Sequence, residues 1–128
     1  MAQSRPRADR PAKRAGGDVV ISDRALSDLV GWTVLECYGV VGMASPNLYS
    51  GVARLLTRDK LHQGIRLERT EADDHLKLDL YLVVEYGLNV AEVAGNARAQ
   101  VAYNVKKLAG RQVDEIHIHV QGVKVGDR

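Results

Sequence analysis

The sequence has few of the residues that cross-link a chain or anchor it in a membrane. Cys37 is its only cysteine, so an internal disulfide is excluded and a reducing compartment is the simpler expectation. No stretch approaches the ~20 apolar residues that a membrane-spanning helix needs, and the basic N-terminus is not followed by the apolar segment of a signal peptide. We therefore expect a cytoplasmic protein whose single modest core forms without disulfides.

Positive charge is concentrated at one end, and the body of the chain lacks both a basic stripe and a set of stacking aromatics. The charged residues of the tail, residues 1–17, are Arg5, Arg7, Arg10, Lys13 and Arg14 against Asp9 alone. The rest of the chain holds 13 basic and 15 acidic side chains. We expect the tail to be disordered, because it has no apolar periodicity, and residues 18–128 to form a single domain. The tail can attract anionic lipid or nucleic acid without specificity.

Apolar spacing predicts two main helices. Ser22 suits an N-cap for the first, which is predicted to end at Gly39. Asn89 suits a cap for the second, which is predicted to end at Gly110. The predicted inward stripe of the second helix is Val90, Ala94, Ala97, Val101, Val105 and Leu108. Gly95 interrupts this helix and indicates close approach to another element, since glycine in a helix costs about 1 kcal/mol relative to alanine.

Strands are predicted at residues 40–44, 64–70, 76–87 and 113–125, with one or two helical turns at 52–58 and a loop at 59–64. In the last strand Ile116 and Ile118 face inward, and a change of phase at Gly122 predicts a β-bulge. The order α-β-β-β-α-β predicts an α+β domain of two layers. Its small, mainly antiparallel sheet is covered on one face by the two main helices.

His117 and His119, one residue apart, leave two interpretations open. On a strand they share the polar face, opposite the isoleucines. A metal site needs three or four ligands, and His62, His75 and Cys37 lack ligand spacing. We favour exposed strand histidines over a metal-binding protein, and we expect no cofactor and no small-molecule substrate.

The predicted polar face mixes both signs of charge with a tyrosine and a valine. It is either a solvated sheet face or a protein-binding surface. The candidate interaction surface is Arg66, Lys77, Asp79, Tyr81, Val83, Glu85, His117 and His119. Phosphate-binding glycine loops and nucleophile motifs are absent from the sequence, so we do not expect an enzyme.

Three stretches taken together resemble the alkaline shock protein family, the envelope stress response proteins of bacteria. They read VVISDRALSDLVGWTVLECYGVVGM, LDLYLVVEYGLNVAEVA and VDEIHIHVQGVKV. The residues that match the family signature are Glu85, Tyr86, Gly87, Asn89 and Gly122. We interpret them as structural, because Gly87 permits a chain reversal and Asn89 caps a helix.

The resemblance implies a non-enzymatic cytoplasmic protein in cell-envelope homeostasis. Such a protein is expected to self-associate and to lie at the inner face of the cell membrane, held by a membrane-anchored partner. Nucleic-acid association through the basic tail is the alternative function that the sequence leaves open.

Overall fold

Both main helices begin where a polar side chain accepts a backbone hydrogen bond, as predicted. In the computed structural model, which describes residues 20–47, 54–70 and 75–125, helix α1 spans Asp23–Leu35. The hydroxyl of Ser22 accepts a hydrogen bond from the N–H of Ala25 at 3.0 Å. The predicted tail, residues 1–17, lies outside the described residues.

Helix α2 spans Val90–Asn104 and passes into a π-helical turn, Val105–Ala109. The side chain of Asn89 accepts a hydrogen bond from the N–H of Glu92 at 3.1 Å, which confirms the cap. The turn ends at Gly110, whose φ of 68° is left-handed, so the predicted terminus is also confirmed. No helix among the described residues is long and apolar enough to cross a bilayer.

The short helical element between the first two strands is displaced from its predicted position. A 3₁₀ helix spans Arg58–Gly64, where the sequence predicts a loop, and residues 54–57 are not helical. Leu61 accounts for the difference, because it is buried and packs closely against Gly31 of α1. Burial of one leucine against a distant helix thus orders a segment that is otherwise polar.

Four strands form one mixed sheet, in which β1 is Val40–Met43, β2 is Ile65–Arg69, β3 is His75–Glu85 and β4 is Gln112–Lys124. Strand β3 is central. Strands β2 and β1 lie end to end along one edge of β3, and both are antiparallel to it. Strand β4 lies along the other edge and is parallel to β3. The predicted α+β class and element order are confirmed.

Alternate residues of β3 form the centre of the core, facing the helices. The buried side chains of this row are Leu76, Leu78, Leu80, Leu82 and Val84. Helix α1 contacts β1 and β2, whereas α2 contacts β4. The helices therefore cover one face of the sheet side by side, and the opposite face, here called the outer face, is left to polar residues.

The inward face of α2 agrees with its predicted position at Ala97, Val101 and Val105 and differs from it at the two ends of the stripe. Its buried residues are Val93, Ala97, Val101 and, in the π turn, Val105. Val90 and Leu108, predicted to face inward, are 38% and 60% exposed, so that part of the prediction is wrong. The predicted close approach at Gly95 is also wrong, since a Cβ there would meet nothing within 4 Å.

Strand β4 contains two bulges relative to β3. Leu82 lies opposite Val120 and Val83 opposite Gly122, so Gln121 is an extra residue and the bulge predicted at the glycine is confirmed. Asp114 is a second extra residue, between Val113 and Glu115 in the register, and it was not predicted. Ile116 and Ile118 pack against the core between the two bulges.

Candidate interaction surface

The outer face is built by alternation along β2, β3 and β4. Arg66, Asp79 and His117 lie opposite one another in register, and Lys77 lies opposite Glu115 in the neighbouring row. Every other residue of a strand points to the same face. Alternation along the strands is therefore sufficient to predict that these side chains share one face.

Tyr81 lies at the centre of the described part of this face. Its ring stacks on the imidazole of His119, with 4.5 Å between centroids and 10° between planes. Nε2 of His119 lies 3.0 Å from Oδ1 of Asp79, and this contact holds the imidazole in its orientation. The guanidinium of Arg66 lies 5.9 Å from the centroid of the tyrosine ring. The result is a pre-ordered aromatic centre between one cation and one anion.

A second group of charges surrounds Glu115. Nε2 of His117 lies 3.0 Å from Oε1 of Glu115, and Nζ of Lys77 lies 3.9 Å from its other oxygen. The hydrogen bond from His117, and then the charge of Lys77, lower the pKa of Glu115 below its usual value of 4.5. These side chains are about half exposed, so water screens their attraction and they stay available to a binding partner.

Val83 points to the outer face but is fully buried, so the prediction that it forms part of an accessible surface is wrong. It packs with Ala44 and Val41 in a small second cluster. The chain after β1 passes over it, as shown by the amide of Gln121, which donates to the carbonyl of Ser45 at 3.2 Å. Coverage by residues distant in sequence removes Val83 from solvent.

Four of the five signature residues lie at the turn from β3 into α2, and the fifth, Gly122, lies in β4. The N–H of Glu85 donates to the carbonyl of Gly39, and the N–H of Tyr86 donates to the carbonyl of Lys124 at 2.7 Å. Gly87 has a φ of 95°, a conformation that other residues rarely adopt. Tyr86 is nevertheless 73% exposed.

The two strand histidines contact different carboxylates. His117 bonds Glu115 and His119 bonds Asp79, so the two imidazoles are not aimed at one point. Within the described ranges, no group of three or more histidine, cysteine, aspartate or glutamate side chains could hold a metal ion.

A polar groove between α1 and α2 was not predicted. It has a volume of about 290 Å³ and is lined by Thr33, Glu36, Cys37, Tyr38, Asn96, Gln100 and Asn104. The signal that could have revealed it is the three amide side chains at intervals of four along α2. Burial, and then the charge of Glu36, raise the pKa of the Cys37 thiol, which leaves it protonated and unreactive at neutral pH.

Comparison with known proteins identifies the family of this chain. A family model described as "Asp23 family, cell envelope-related function" matches residues 12–125. This chain belongs to the Asp23 family. The family's name is independent of the residue numbered 23 in this chain. The resemblance to alkaline shock proteins is thereby confirmed at the level of the family and its cell envelope-related function.

Relatives in the Asp23 family are similar over most of their length. The "Uncharacterized protein YloU" of Bacillus subtilis is 34% identical over 110 residues, 85% of this chain and 90% of the relative. The "Uncharacterized protein Spy1614" of Streptococcus pyogenes is 30% identical, over 85% of this chain and 89% of the relative. The "Uncharacterized protein YqhY" of Bacillus subtilis is 25% identical, over 84% and 78%. No solved structure matches this chain.

Proposed function

We propose that this chain is a non-catalytic binding protein of the cell envelope. It binds a membrane-anchored protein from the cytoplasmic side of the membrane and associates with further copies of itself. The outer face, centred on Tyr81, is the surface assigned to the membrane-anchored partner. The cell envelope-related function of the family supports a role at the cell envelope.

The stack of Tyr81 on His119 is the observation that carries the proposal. Tyrosine and arginine are the residue types that most often dominate binding energy at interfaces. Here the tyrosine is held in place by an imidazole that is itself bonded to Asp79. An ordered aromatic ring loses little conformational freedom when a partner covers it.

The charges of the outer face favour a protein partner over nucleic acid. Arg66 and Lys77 are interleaved with Asp79 and Glu115, so each cation has a carboxylate beside it in the register. A phosphate backbone would meet negative charge along with positive, whereas nucleic-acid-binding surfaces are cationic tracks. A protein surface with its own mixed charges can be complementary to this pattern.

The basic tail supplies a second and weaker attraction. Each lysine or arginine close to an anionic leaflet adds about 1 kcal/mol at most. The five cations of residues 1–17 therefore favour the membrane surface for a protein that its partner already holds nearby. Salt screens this attraction.

Partner capture tests the assignment of the outer face. The immobilised full-length chain is incubated with detergent-solubilised native membranes, and retained proteins are identified by mass spectrometry. Tyr81→Ala is expected to lower retention of a membrane-spanning protein by about tenfold or more. Tyr103→Ala is the matched control, because Tyr103 is 60% exposed on α2, away from the outer face. Equal retention by all three proteins would contradict the proposal.

A further inference from the structure

The edge of the sheet formed by β4 is open. Among the described residues this 13-residue strand pairs with β3 alone. Proteins usually shorten, cover or charge such an edge, because it can pair with another chain. Here Ile116 and Ile118 are half-buried on its helix side, and Val120 and Val123 are 36% and 49% exposed.

The helix-side residues of β4 are arranged symmetrically about Ile118. They are Val113, Ile116, Ile118, Val120 and Val123, at intervals of three, two, two and three residues. The bulges at Asp114 and Gln121 produce the two longer intervals. Because the pattern reads the same in both directions, a two-fold axis at Ile118 brings each apolar side chain opposite an apolar side chain of a second, antiparallel β4.

The polar residues of β4 are compatible with the same register. His117 comes opposite His119 of the second copy, Glu115 opposite Gln121, and Gln112 opposite Lys124. No two carboxylates and no two permanent cations meet directly, so the juxtaposition of like charges that destabilises cross-strand pairs is avoided.

Other antiparallel registers place apolar side chains of β4 opposite polar ones. A shift of one residue sets the helix-side residues against outer-face residues. With the axis at His117, Val113 comes opposite Gln121, and with the axis at His119, Val123 comes opposite Glu115. The edge therefore specifies one self-pairing.

Helix α2 leaves room for a second copy. Its Asn96 and Gln100 line the groove toward α1. At 100° per residue, Ala91, Ala94 and Ala102 lie on the opposite flank, on the side of the open edge, together with the exposed Arg98. The three alanines are too short to cover the valines of β4, and Arg98 is itself exposed and leaves Val120 and Val123 accessible.

We propose that two copies of this chain join through their β4 edges, antiparallel about Ile118, into one continuous eight-stranded sheet. The pairing deepens the self-association in the proposed function and rests on it. It sets two outer faces side by side. Two partner-binding surfaces in one particle raise the overall affinity for partners that are clustered in a membrane.

Sedimentation of the full-length chain over the micromolar range tests the pairing. The wild type is expected to form dimers, and Val123→Lys to weaken them by about tenfold or more, because the ammonium would be buried opposite Val113. Val20→Lys is the matched control, since Val20 is 86% exposed before α1 and away from β4. A monomeric wild type, or a Val123→Lys dimer as strong as the wild type, overturns the pairing.

Cross-linking gives the register independently of the stability of the lysine variant. His117→Cys and His119→Cys chains carrying different tags are mixed and oxidised. The register predicts that unlike chains are linked in preference to like chains, because positions 117 and 119 lie opposite each other. Native Cys37 is buried and does not compete. Absence of linked chains, or equal linking of like and unlike chains, overturns the register.

Partner capture separates failure of this pairing from failure of the proposed function. A monomeric wild type that still retains the membrane protein through Tyr81 overturns the β4 pairing alone. If the wild type forms a dimer that Val123→Lys dissociates, but the wild type retains no membrane protein, the pairing is supported and the assignment of the outer face is contradicted. If the wild type is monomeric and Val123→Lys loses the membrane protein, the edge binds a different protein and the self-pairing is overturned.

Discussion

Tyr81 and Val83 are two residues apart on the same side of β3, but their environments differ. Tyr81 is partly exposed and stacks on His119, whereas Val83 is fully buried with Ala44. Alternation along a strand determines which way a side chain points, and it places both on the outer face. It does not determine what covers that face, which here depends on the chain that follows β1.

Val83→Lys is expected to lower the free energy of unfolding by about 3 kcal/mol or more. The lysine would lose its hydration beneath Ala44, with no carboxylate among the buried residues of that cluster to compensate it. Urea denaturation followed by circular dichroism measures the change. Val20→Lys, at an exposed valine, should leave the midpoint nearly unchanged. A stable Val83→Lys variant would show that the side chain is accessible after all.

The lowered pKa of Glu115 depends first on His117 and second on Lys77. His117→Ala is therefore expected to raise the pKa of Glu115 toward 4.5. Because the folded-state pKa is depressed, this carboxylate stabilises the fold above its unfolded-state pKa. That contribution is lost as the pH falls through the lowered folded-state pKa.

Titration of the side-chain carboxyl signals by nuclear magnetic resonance measures the change at Glu115. His119→Ala serves as the control, because it leaves the hydrogen bond between His117 and Glu115 in place. A Glu115 titration that is the same in the wild type and in His117→Ala would show that the histidine does not hold the carboxylate in solution.

At the scale of elements, helix starts were easier to predict than the extent of the buried helix face, and α1 ends at Leu35, before the predicted Gly39. Ser22 and Asn89 cap their helices through bonds to residues three positions away, so the sequence around each cap is sufficient. The inward face of α2 depends on where the helix sits over the sheet. Val90 at the start of α2 and Leu108 in the π turn fit the same spacing as Val101, but at the two ends of the element they remain exposed.

Gly95→Ala is expected to raise the free energy of unfolding by about 0.5–1 kcal/mol. The glycine lies inside α2 and a Cβ there meets nothing within 4 Å, so alanine gains helix propensity without a clash. Gly87→Ala is the contrasting control and should destabilise, because the φ of Gly87 is 95°. Thermal unfolding of both variants measures the difference. A destabilised Gly95→Ala would revive the close approach that the sequence indicated.

For the whole molecule, the class and the order of elements could be predicted, but the neighbours within the sheet could not. Spacing and caps identify strands and helices locally. The parallel pairing of β3 with β4, and the open edge that results, arise from contacts between residues far apart in sequence. The outer-face group around Tyr81 was predictable because alternation alone assembles it, and the groove between the helices was not.

Removal of residues 1–17 is expected to weaken binding to vesicles containing anionic lipid by about tenfold or more, and to leave dimer formation unchanged. The deletion removes five cations and one anion and leaves every described strand in place. Vesicle flotation at low and at physiological salt measures the effect, with neutral vesicles as the control. Equal binding to neutral and anionic vesicles would contradict an electrostatic role.

A parallel assay with DNA tests whether the same deletion abolishes nucleic-acid binding while dimers persist.

Strand β3 obtains its neighbours from both directions along the chain. β1 and β2 precede it, and β4 follows only after α2. During translation, one side of the central strand therefore stays unpaired until the ribosome has also released α2 and β4. A nascent chain halted at Gly110 carries that unpaired side without its last strand, and chaperones or proteases are expected to recognise it.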